Sequence, residues 1–168
     1  MTGTELRAVQ EPLKQRYRDD PNTALITLRA EGELGAGVTC SVQTGQALVS
    51  AGLHPATGGD GLSACSGDML LQALVACAGV TLNAVATALE LSVTGSVHAE
   101  GDLDFRGTLA VDRQAPVGFR EIRLRFDLRT DATEEQLATL TRLTERYCVV
   151  YQTLVSPPAL QVTRTASP

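Results

Sequence analysis

Two cysteines in different surroundings carry the strongest candidate chemistry in this sequence. Cys77 lies inside an apolar stretch, residues 70–89, and Cys148 lies 71 positions later, at the end of an amphipathic segment. A thiolate is a nucleophile, and a second thiol beside it can capture an oxidised sulfur as a disulfide. The pair indicates thiol redox chemistry, although one buried cysteine alone is more often just a small apolar side chain.

A reactive Cys77 needs help from outside its own helix. It lies about two and a half turns into the predicted helix, beyond the reach of the helix dipole, and burial alone raises the pKa of a thiol. A thiolate near neutral pH requires a pKa roughly one to two units below the usual ~8.5, which a neighbouring guanidinium can supply. We therefore expect an arginine, held by an acid, close to Cys77.

The hydropathy pattern predicts an α+β fold, in which strands, a buried helix, more strands, a second helix and a last strand follow one another. Segments with a period near two predict strands over residues 23–31, 37–43, 46–52, 91–101, 103–112 and 119–130, with a final edge strand over 159–165. The second helix begins after 131 with two capping signals, Asp131 with Glu134 and Thr133 with Gln136.

The central helix, from Asp68 to Leu89 with Ser66 as its expected N-cap, is apolar on all faces. One small chain cannot cover such a helix, so we expect a homodimer. A membrane span is rejected, because polar residues interrupt the run and no basic residues flank it. The interrupting residues are Gln72, Thr81, Asn83 and Thr87.

Composition excludes several classes of function. The net charge of −5 over 168 residues argues against nucleic acid or an anionic membrane as a partner. Four cysteines without a signal peptide indicate cytoplasmic thiols, not a disulfide framework. Two histidines and no Cys-x-x-Cys pair argue against a zinc site, and no cofactor is expected. Residues 1–22 read as a polar, partly helical extension, and residues 23–168 as a single domain.

The segments SGDMLLQALVACAGVTL (66–82) and LTERYCVVYQTL (143–154) resemble the OsmC/Ohr family, which comprises osmotically inducible protein C and the organic hydroperoxide resistance proteins. The resemblance covers roughly residues 24–165. It implies an intertwined homodimer in which two antiparallel sheets pack around long helices. It also implies a thiol peroxidase: Cys77 attacks an organic hydroperoxide, Cys148 resolves the sulfenic acid, and a dithiol such as dihydrolipoamide reduces the disulfide.

The resemblance also implies an acid and an arginine, and here the sequence departs from the family. The matching acid is Asp68, which nine residues of helix place on the face opposite Cys77. The family's arginine lies in a Gly-Arg turn between the first two strands, whereas the matching segment here, EGELGAG (31–37), has none. Arg29 is the first substitute, and Asp68 is expected to hold it. The other candidates are Arg106, Arg16 and Arg18.

Two other functions stay open at this stage. The chain could be a non-enzymatic dimer that binds an apolar small molecule, or a thiol redox sensor. Cys40 is interpreted as strand packing, Cys65 as a candidate accessory thiol just before the helix, and His54 as a structural loop residue that could line a pocket.

Overall fold

The computed structural model describes residues 48–110 and 112–166, the backbone of residues 31–34 and 39–43, and six isolated positions before residue 20. Within these residues the fold is α+β, as predicted. The boundary expected between residues 22 and 23 lies outside the described residues.

Two separate sheets form in the described part of the chain. The first has the order β1–β2–β3–β4. β2 pairs antiparallel with β1 and with β3, and β4 pairs parallel with β3. Its strands are Glu31–Leu34, Thr39–Gln43, Leu48–Gly52 and Ala64–Cys65. The second sheet pairs β5 (Val93–Asp102) antiparallel with β6 (Glu121–Thr130) over ten residues of each strand.

From residue 48 onward the described part of the chain contains four α-helices, of which α1 is the longest, and one 3-10 helix, Pro55–Thr57. The helices are α1 (Ser66–Ala88), α2 (Phe105–Thr108), α3 (Glu134–Tyr147) and α4 (Val149–Val155). α1 packs on β5 and against α3 and α4. Its buried residues recur every fourth position and so form one stripe along the helix. They are Leu74, Ala78, Leu82 and Ala86.

Alternating hydropathy positions the second sheet on this stripe. Along β6, half-buried Phe126 and Leu128 contact the cluster formed by Leu82, Ala86 and Leu140, while the residues between them face outward. The outward residues are charged and exposed, so one face of the sheet is wet. The strands predicted over 91–101 and 119–130 are thus confirmed as β5 and β6.

The strand predicted over 103–112 is wrong. This segment contains the short helix α2, because the Asp104 side chain accepts the Arg106 backbone N–H at 3.2 Å and starts a helical turn. Gly107 fits tightly there, since a Cβ on it would lie 2.6 Å from the carbonyl oxygens of Ala115 and Pro116. Local capping and close backbone approach outweigh the alternating pattern.

Other expectations at the ends of elements also need correction. The edge strand predicted over 159–165 is wrong, since that segment has no regular structure and leaves Leu160 88% and Val162 94% exposed. Cys65, not Ser66, occupies the N-cap of α1. β1 occupies part of the expected 31–37 turn, and the predicted strand over 23–31 lies outside the described residues except for its last residue.

The capping box predicted for α3 is confirmed, and it yields a stability prediction. Thr133 Oγ1 accepts the Gln136 N–H at 3.3 Å, and Gln136 Oε1 accepts the Thr133 N–H at 2.8 Å. Replacing Thr133 with alanine should lower the free energy of unfolding by about 1 kcal/mol. Urea unfolding followed by circular dichroism measures this loss. The control Arg142→Ala, at an exposed position of the same helix, should change it by less than about 0.5 kcal/mol; equal losses in both variants would contradict the prediction.

Candidate active site

Cys77 lies beside the buried stripe of α1. Leu74 and Ala78, its neighbours on the stripe, are essentially inaccessible, whereas Cys77 itself is half-buried. The helix therefore fixes the sulfur at the boundary between the core and the surface. A thiol in this position is held rigidly and stays open to a small reactant.

Cys148 lies at the joint between α3 and α4 and is only 1% exposed. Its backbone N–H donates to the Thr144 carbonyl at 2.9 Å and so closes α3. Its sulfur accepts the Tyr151 N–H at 3.5 Å and so caps α4. The extended backbone at Cys148, with ψ of 109°, turns the chain between the two helices.

The structure brings the sulfurs of Cys77 and Cys148 together. The neighbouring Cys148 thiol and the backbone N–H groups of Val149 and Val150 each lower the pKa of Cys77. These N–H groups belong to the first turn of α4, where a helix has no internal acceptors for them. The Thr81 hydroxyl, one turn further along α1, lowers this pKa by the smallest amount.

These contacts shift the pKa values of the two thiols in opposite directions. Partial burial raises the pKa of the Cys77 thiol, but the donors from Val150, Cys148, Val149 and Thr81 outweigh burial and bring that pKa below its ordinary value. Burial raises the pKa of the Cys148 thiol, and its contact with Cys77 raises it further. Cys77 is therefore the thiol that ionises first, while Cys148 keeps its proton.

Asp68 lies in the first turn of α1, exposed to solvent, and does not approach Cys77 within the chain. Nine residues separate them, which corresponds to about 13 Å along the helix axis. Among the described residues Asp68 forms no ion pair. The opposite-face placement expected from the sequence therefore holds within this helix.

Of the four candidate arginines, only Arg106 belongs to the described residues, and it does not contact the Cys77 sulfur. Arg29, Arg16 and Arg18 lie outside the described residues. Arg106 pairs with Asp104 at 2.6 Å and with Asp112 at 3.5 Å, and it lies on α2, not on the strand pair. Its hydrogen bond lowers the pKa of Asp104 to about 2. No arginine of the described segments donates to Cys77.

The sequence analysis missed the donors that do reach Cys77. Every residue except proline has a backbone N–H group, so residue types alone could not identify Val149 and Val150 as donors. The available signal was the run from Cys148 to Val155 ahead of two prolines, which is long enough for two helical turns. An N-cap at Cys148 leaves the N–H groups of the first turn, including those of Val149 and Val150, without acceptors inside the helix.

The remaining candidate residues take structural positions. Cys65 occupies the N-cap position of α1 without a side-chain capping bond, twelve residues before Cys77, which is about 18 Å along the helix axis. Cys40 lies in β2 opposite Ala51. His54 stacks on Phe105 with ring centroids 5.0 Å apart, and its Nδ1 accepts the Ala56 N–H at 3.1 Å. No group of metal-ligating side chains forms in the described part of the chain.

A cavity of about 710 Å³ lies between α1, β6, α3 and α4. Its walls are mainly apolar, with Arg120, Glu121 and Glu145 among the charged residues that line it. Neither Cys77 nor Cys148 lines this cavity. Its walls include Leu74, which is three residues before Cys77, and Tyr151, whose backbone N–H donates to the Cys148 sulfur. A volume of this size suits a small organic molecule.

One face of α1 carries apolar side chains without cover from the described residues. Ala73, Ala76 and Val80 are exposed along it, and Val80 is 72% accessible. By length and composition α1 is also apolar enough to cross a membrane, and 28% of its most apolar window is buried within the chain. The apolar character predicted for this helix is thus only partly accommodated by the chain itself.

The part of the sequence that contains this helix and both cysteines matches a known family. The family model described as OsmC-like protein matches residues 58–163, well over half of the chain. The chain belongs to the OsmC-like protein family. The resemblance drawn from the sequence is confirmed, and the match includes Asp68, Cys77 and Cys148.

Solved structures share the OsmC-like fold. An OsmC like protein from Mycoplasma pneumoniae aligns with a TM-score of 0.66 at 16% identity, covering 79% of this chain and 89% of that chain. A hypothetical protein from Aquifex aeolicus aligns with a TM-score of 0.61 at 18% identity, covering 79% and 90%. An OsmC-like protein of unknown function from Vibrio cholerae gives 0.52 at 11% identity, covering 77% and 94%. No curated protein matches the sequence.

Proposed function

We propose that this OsmC-like chain is a thiol peroxidase that reduces organic hydroperoxides, with Cys77 as the attacking thiol and Cys148 as the resolving thiol. The observation that supports the proposal is that Cys77 and buried Cys148 lie close enough to interact, which lowers the pKa of Cys77 and raises that of Cys148. A thiolate beside a protonated thiol is the arrangement that a two-cysteine peroxidase requires.

The reaction follows from this geometry in three steps. The Cys77 thiolate attacks one peroxide oxygen, so that an S–O bond forms, the O–O bond breaks, and the departing alkoxide takes up a proton to become an alcohol. Cys148 sulfur then attacks the sulfenic sulfur, and the hydroxyl group leaves with the thiol proton as water. A dithiol such as dihydrolipoamide reduces the disulfide by two thiol–disulfide exchanges.

The other residues expected from the sequence enter as parts of this proposal. The apolar cavity beside Leu74 and Tyr151 would seat the organic group of the peroxide. Arg29, held by Asp68 of the same or the second chain, would add positive charge near Cys77 and lower its pKa further. A cytoplasmic location fits the requirement that both thiols be reduced before each turnover.

Steady turnover tests the proposed activity. Purified protein should consume cumene hydroperoxide continuously with dihydrolipoamide as the reductant, and much more slowly with glutathione, a monothiol that cannot complete both exchanges within one molecule. If the rate of peroxide consumption with the dithiol equals the rate measured without protein, the peroxidase proposal is wrong.

We also propose that the active form is a homodimer in which a second chain covers the exposed face of α1. Ala73, Ala76 and Val80 form this face, and the exposed Leu160 and Val162 provide a second apolar surface that one chain leaves open. Burial of such surfaces is the main favourable term in association. The stable interfaces of obligate dimers bury about 2,000 Å² or more in total.

Replacing Val80 with glutamate should dissociate this dimer, because it places an unpaired charge in an apolar contact. Sedimentation velocity at micromolar concentration should give twice the 17.7 kDa chain mass for the wild type and the chain mass for Val80→Glu. The matched control Val117→Glu changes a residue of similar exposure, 65%, in the connection between β5 and β6. A monomeric wild type, or a dimeric Val80→Glu variant, would contradict the arrangement.

A second candidate function rests on the cavity alone. At about 710 Å³ it can hold a small apolar molecule whether or not the thiols react. Native mass spectrometry of freshly purified protein distinguishes this function, because a retained organic molecule in a chain without peroxide turnover would favour a binding protein.

A further inference from the structure

The C-terminal segment, residues 159–165, alternates like a strand but has no neighbouring strand in its own chain. In an extended backbone Leu160, Val162 and Arg164 share one face. Leu160 is 88% exposed and Val162 is 94% exposed, so the chain covers neither side chain. The prolines Pro157–Pro158, directly after α4, favour an extended backbone where the segment begins.

The strand β6 has an unpaired edge beside the cavity of about 710 Å³. β5 pairs with one edge of β6 over ten residues, and no other described strand pairs with β6. Ile122, Leu124 and Phe126 of β6 line the cavity, whereas no residue of β5 does. The cavity therefore lies on the side of the free edge. An open edge of this kind accepts a further strand from another chain.

Glu145 gives this cavity a charge without a partner in the described residues. Its half-buried side chain lines the cavity, and its carboxylate forms no hydrogen bond or ion pair there. The other two charged residues of the cavity already belong to ion pairs. A carboxylate in mainly apolar surroundings is stabilised by a nearby cation. Arg164 is the only charged side chain after Arg146 in the sequence, so the C-terminal segment offers one cation next to an apolar pair.

We propose that the C-terminal segment of a second copy adds to the free edge of β6 as an antiparallel strand and closes the cavity. Leu160 and Val162 then extend the apolar inner face of the sheet, and Arg164 pairs with Glu145. The exchange is reciprocal in a symmetric dimer, so both segments and both edges are covered. The inference rests on the proposed homodimer and not on the peroxidase chemistry, and it makes each cavity a joint product of two chains.

The antiparallel direction follows from the position of Glu145. Leu140 of α3 packs in the cluster that includes Phe126. Glu145 follows five residues later, about 7 Å further along α3, where it shares the cavity with Ile122. An antiparallel segment brings residue 164 to that end of β6 while residues 160 and 162 lie beside its apolar middle. The register sets Leu160 beside Phe126, Val162 beside Leu124 and Arg164 beside Ile122.

Cysteine cross-linking tests this register. On the outer face of the sheet it places Gln161 opposite Arg125, with Cβ atoms about 5 Å apart. The double variant Gln161→Cys with Arg125→Cys, oxidised mildly with copper phenanthroline, should form a covalent dimer of twice the 17.7 kDa chain mass. Peptide mapping should locate the bond between positions 125 and 161. The matched control combines Gln161→Cys with Glu100→Cys, at an exposed position of β5, and should give about tenfold less of its own cross-link.

Charge reversal tests the pairing of Arg164 with Glu145. Arg164→Glu places a like charge beside the carboxylate and should raise the Kd of the dimer by about tenfold or more. Combining it with Glu145→Arg should return the Kd to within a few fold of the wild type. Arg142→Glu, at an exposed position of the same helix, should leave the Kd within about twofold. Sedimentation velocity over a dilution series measures these values.

The outcomes separate the strand exchange from the proposed function. A wild-type dimer whose double variant lacks the 125–161 bond, or forms it inside one chain, overturns the exchange and leaves the homodimer and peroxidase proposals in place. An unchanged Kd in Arg164→Glu, or no recovery with Glu145→Arg, overturns the pairing of these two residues. A monomeric wild type overturns the exchange together with the homodimer. Peroxide turnover enters none of these measurements.

Discussion

Replacing Cys77 with serine is expected to abolish reduction of cumene hydroperoxide. The rate should fall by about 10³-fold or more, because a serine hydroxyl is scarcely ionised at pH 7 and cannot be oxidised to an equivalent of sulfenic acid. The change removes one sulfur from a half-buried position, so folding should be preserved. Initial rates of peroxide loss with dihydrolipoamide measure the effect.

Cys65→Ser is the matched control for this variant. Cys65 is also half-buried and lies at the start of the same helix, about 18 Å from Cys77 along the axis. It should retain nearly the full wild-type rate. If Cys77→Ser keeps its activity, or Cys65→Ser loses it, the assignment of Cys77 as the attacking thiol is contradicted.

Replacing Cys148 with serine is expected to stop repeated turnover while leaving the first oxidation intact. Without a resolving thiol beside Cys77, the sulfenic acid persists until an external thiol reacts with it or a second peroxide molecule oxidises it to sulfinic acid. The steady-state rate should fall by roughly a hundredfold, because an intramolecular partner acts at a high effective concentration. Serine is a good N-cap, so α4 should keep the cap that the Cys148 sulfur supplies.

Two measurements check the Cys148→Ser variant. Stopped-flow oxidation with equimolar peroxide should give a first-turnover rate within a few fold of wild type, since Cys77 keeps the Val149 and Val150 donors. Intact-mass analysis in excess peroxide should show Cys77 gaining two oxygen atoms in the variant, whereas the wild type forms a disulfide. Full steady-state activity in Cys148→Ser would mean that Cys148 is not the resolving thiol.

Much of the fold was predictable because its patterns are local. The alternation in β5 and β6 and the capping box at Thr133 depend on neighbouring residues, and the structure contains all of them. The α2 segment was not predictable by alternation, because a single Asp104 cap and the close packing of Gly107 decide its path. The segment over 159–165 alternates as a strand would, but pairing requires a neighbouring strand, which a sequence pattern cannot supply.

The candidate site was predictable in its sulfurs and not in its donors. The helix around Cys77 and the segment around Cys148 lie within the residues that match the OsmC-like family model, and the resemblance in the sequence predicted this pair. The search for a charged partner pointed to arginines, whereas the described groups that lower the pKa of Cys77 are two backbone N–H groups, the Cys148 thiol and a hydroxyl. A backbone donor depends on where a helix begins, and the start of α4 follows from the turn at Cys148.

The central claim, that Cys77 is oxidised and Cys148 resolves it, is tested most directly by one oxidation followed by peptide mapping. Reduced wild-type protein is mixed with one equivalent of cumene hydroperoxide, trapped with N-ethylmaleimide under denaturing conditions, and digested without reduction. We expect one Cys77–Cys148 disulfide and one molecule of alcohol per chain, with Cys65 alkylated. Recovery of Cys77 and Cys148 as free thiols, or of Cys77 bonded to Cys65, would contradict the account.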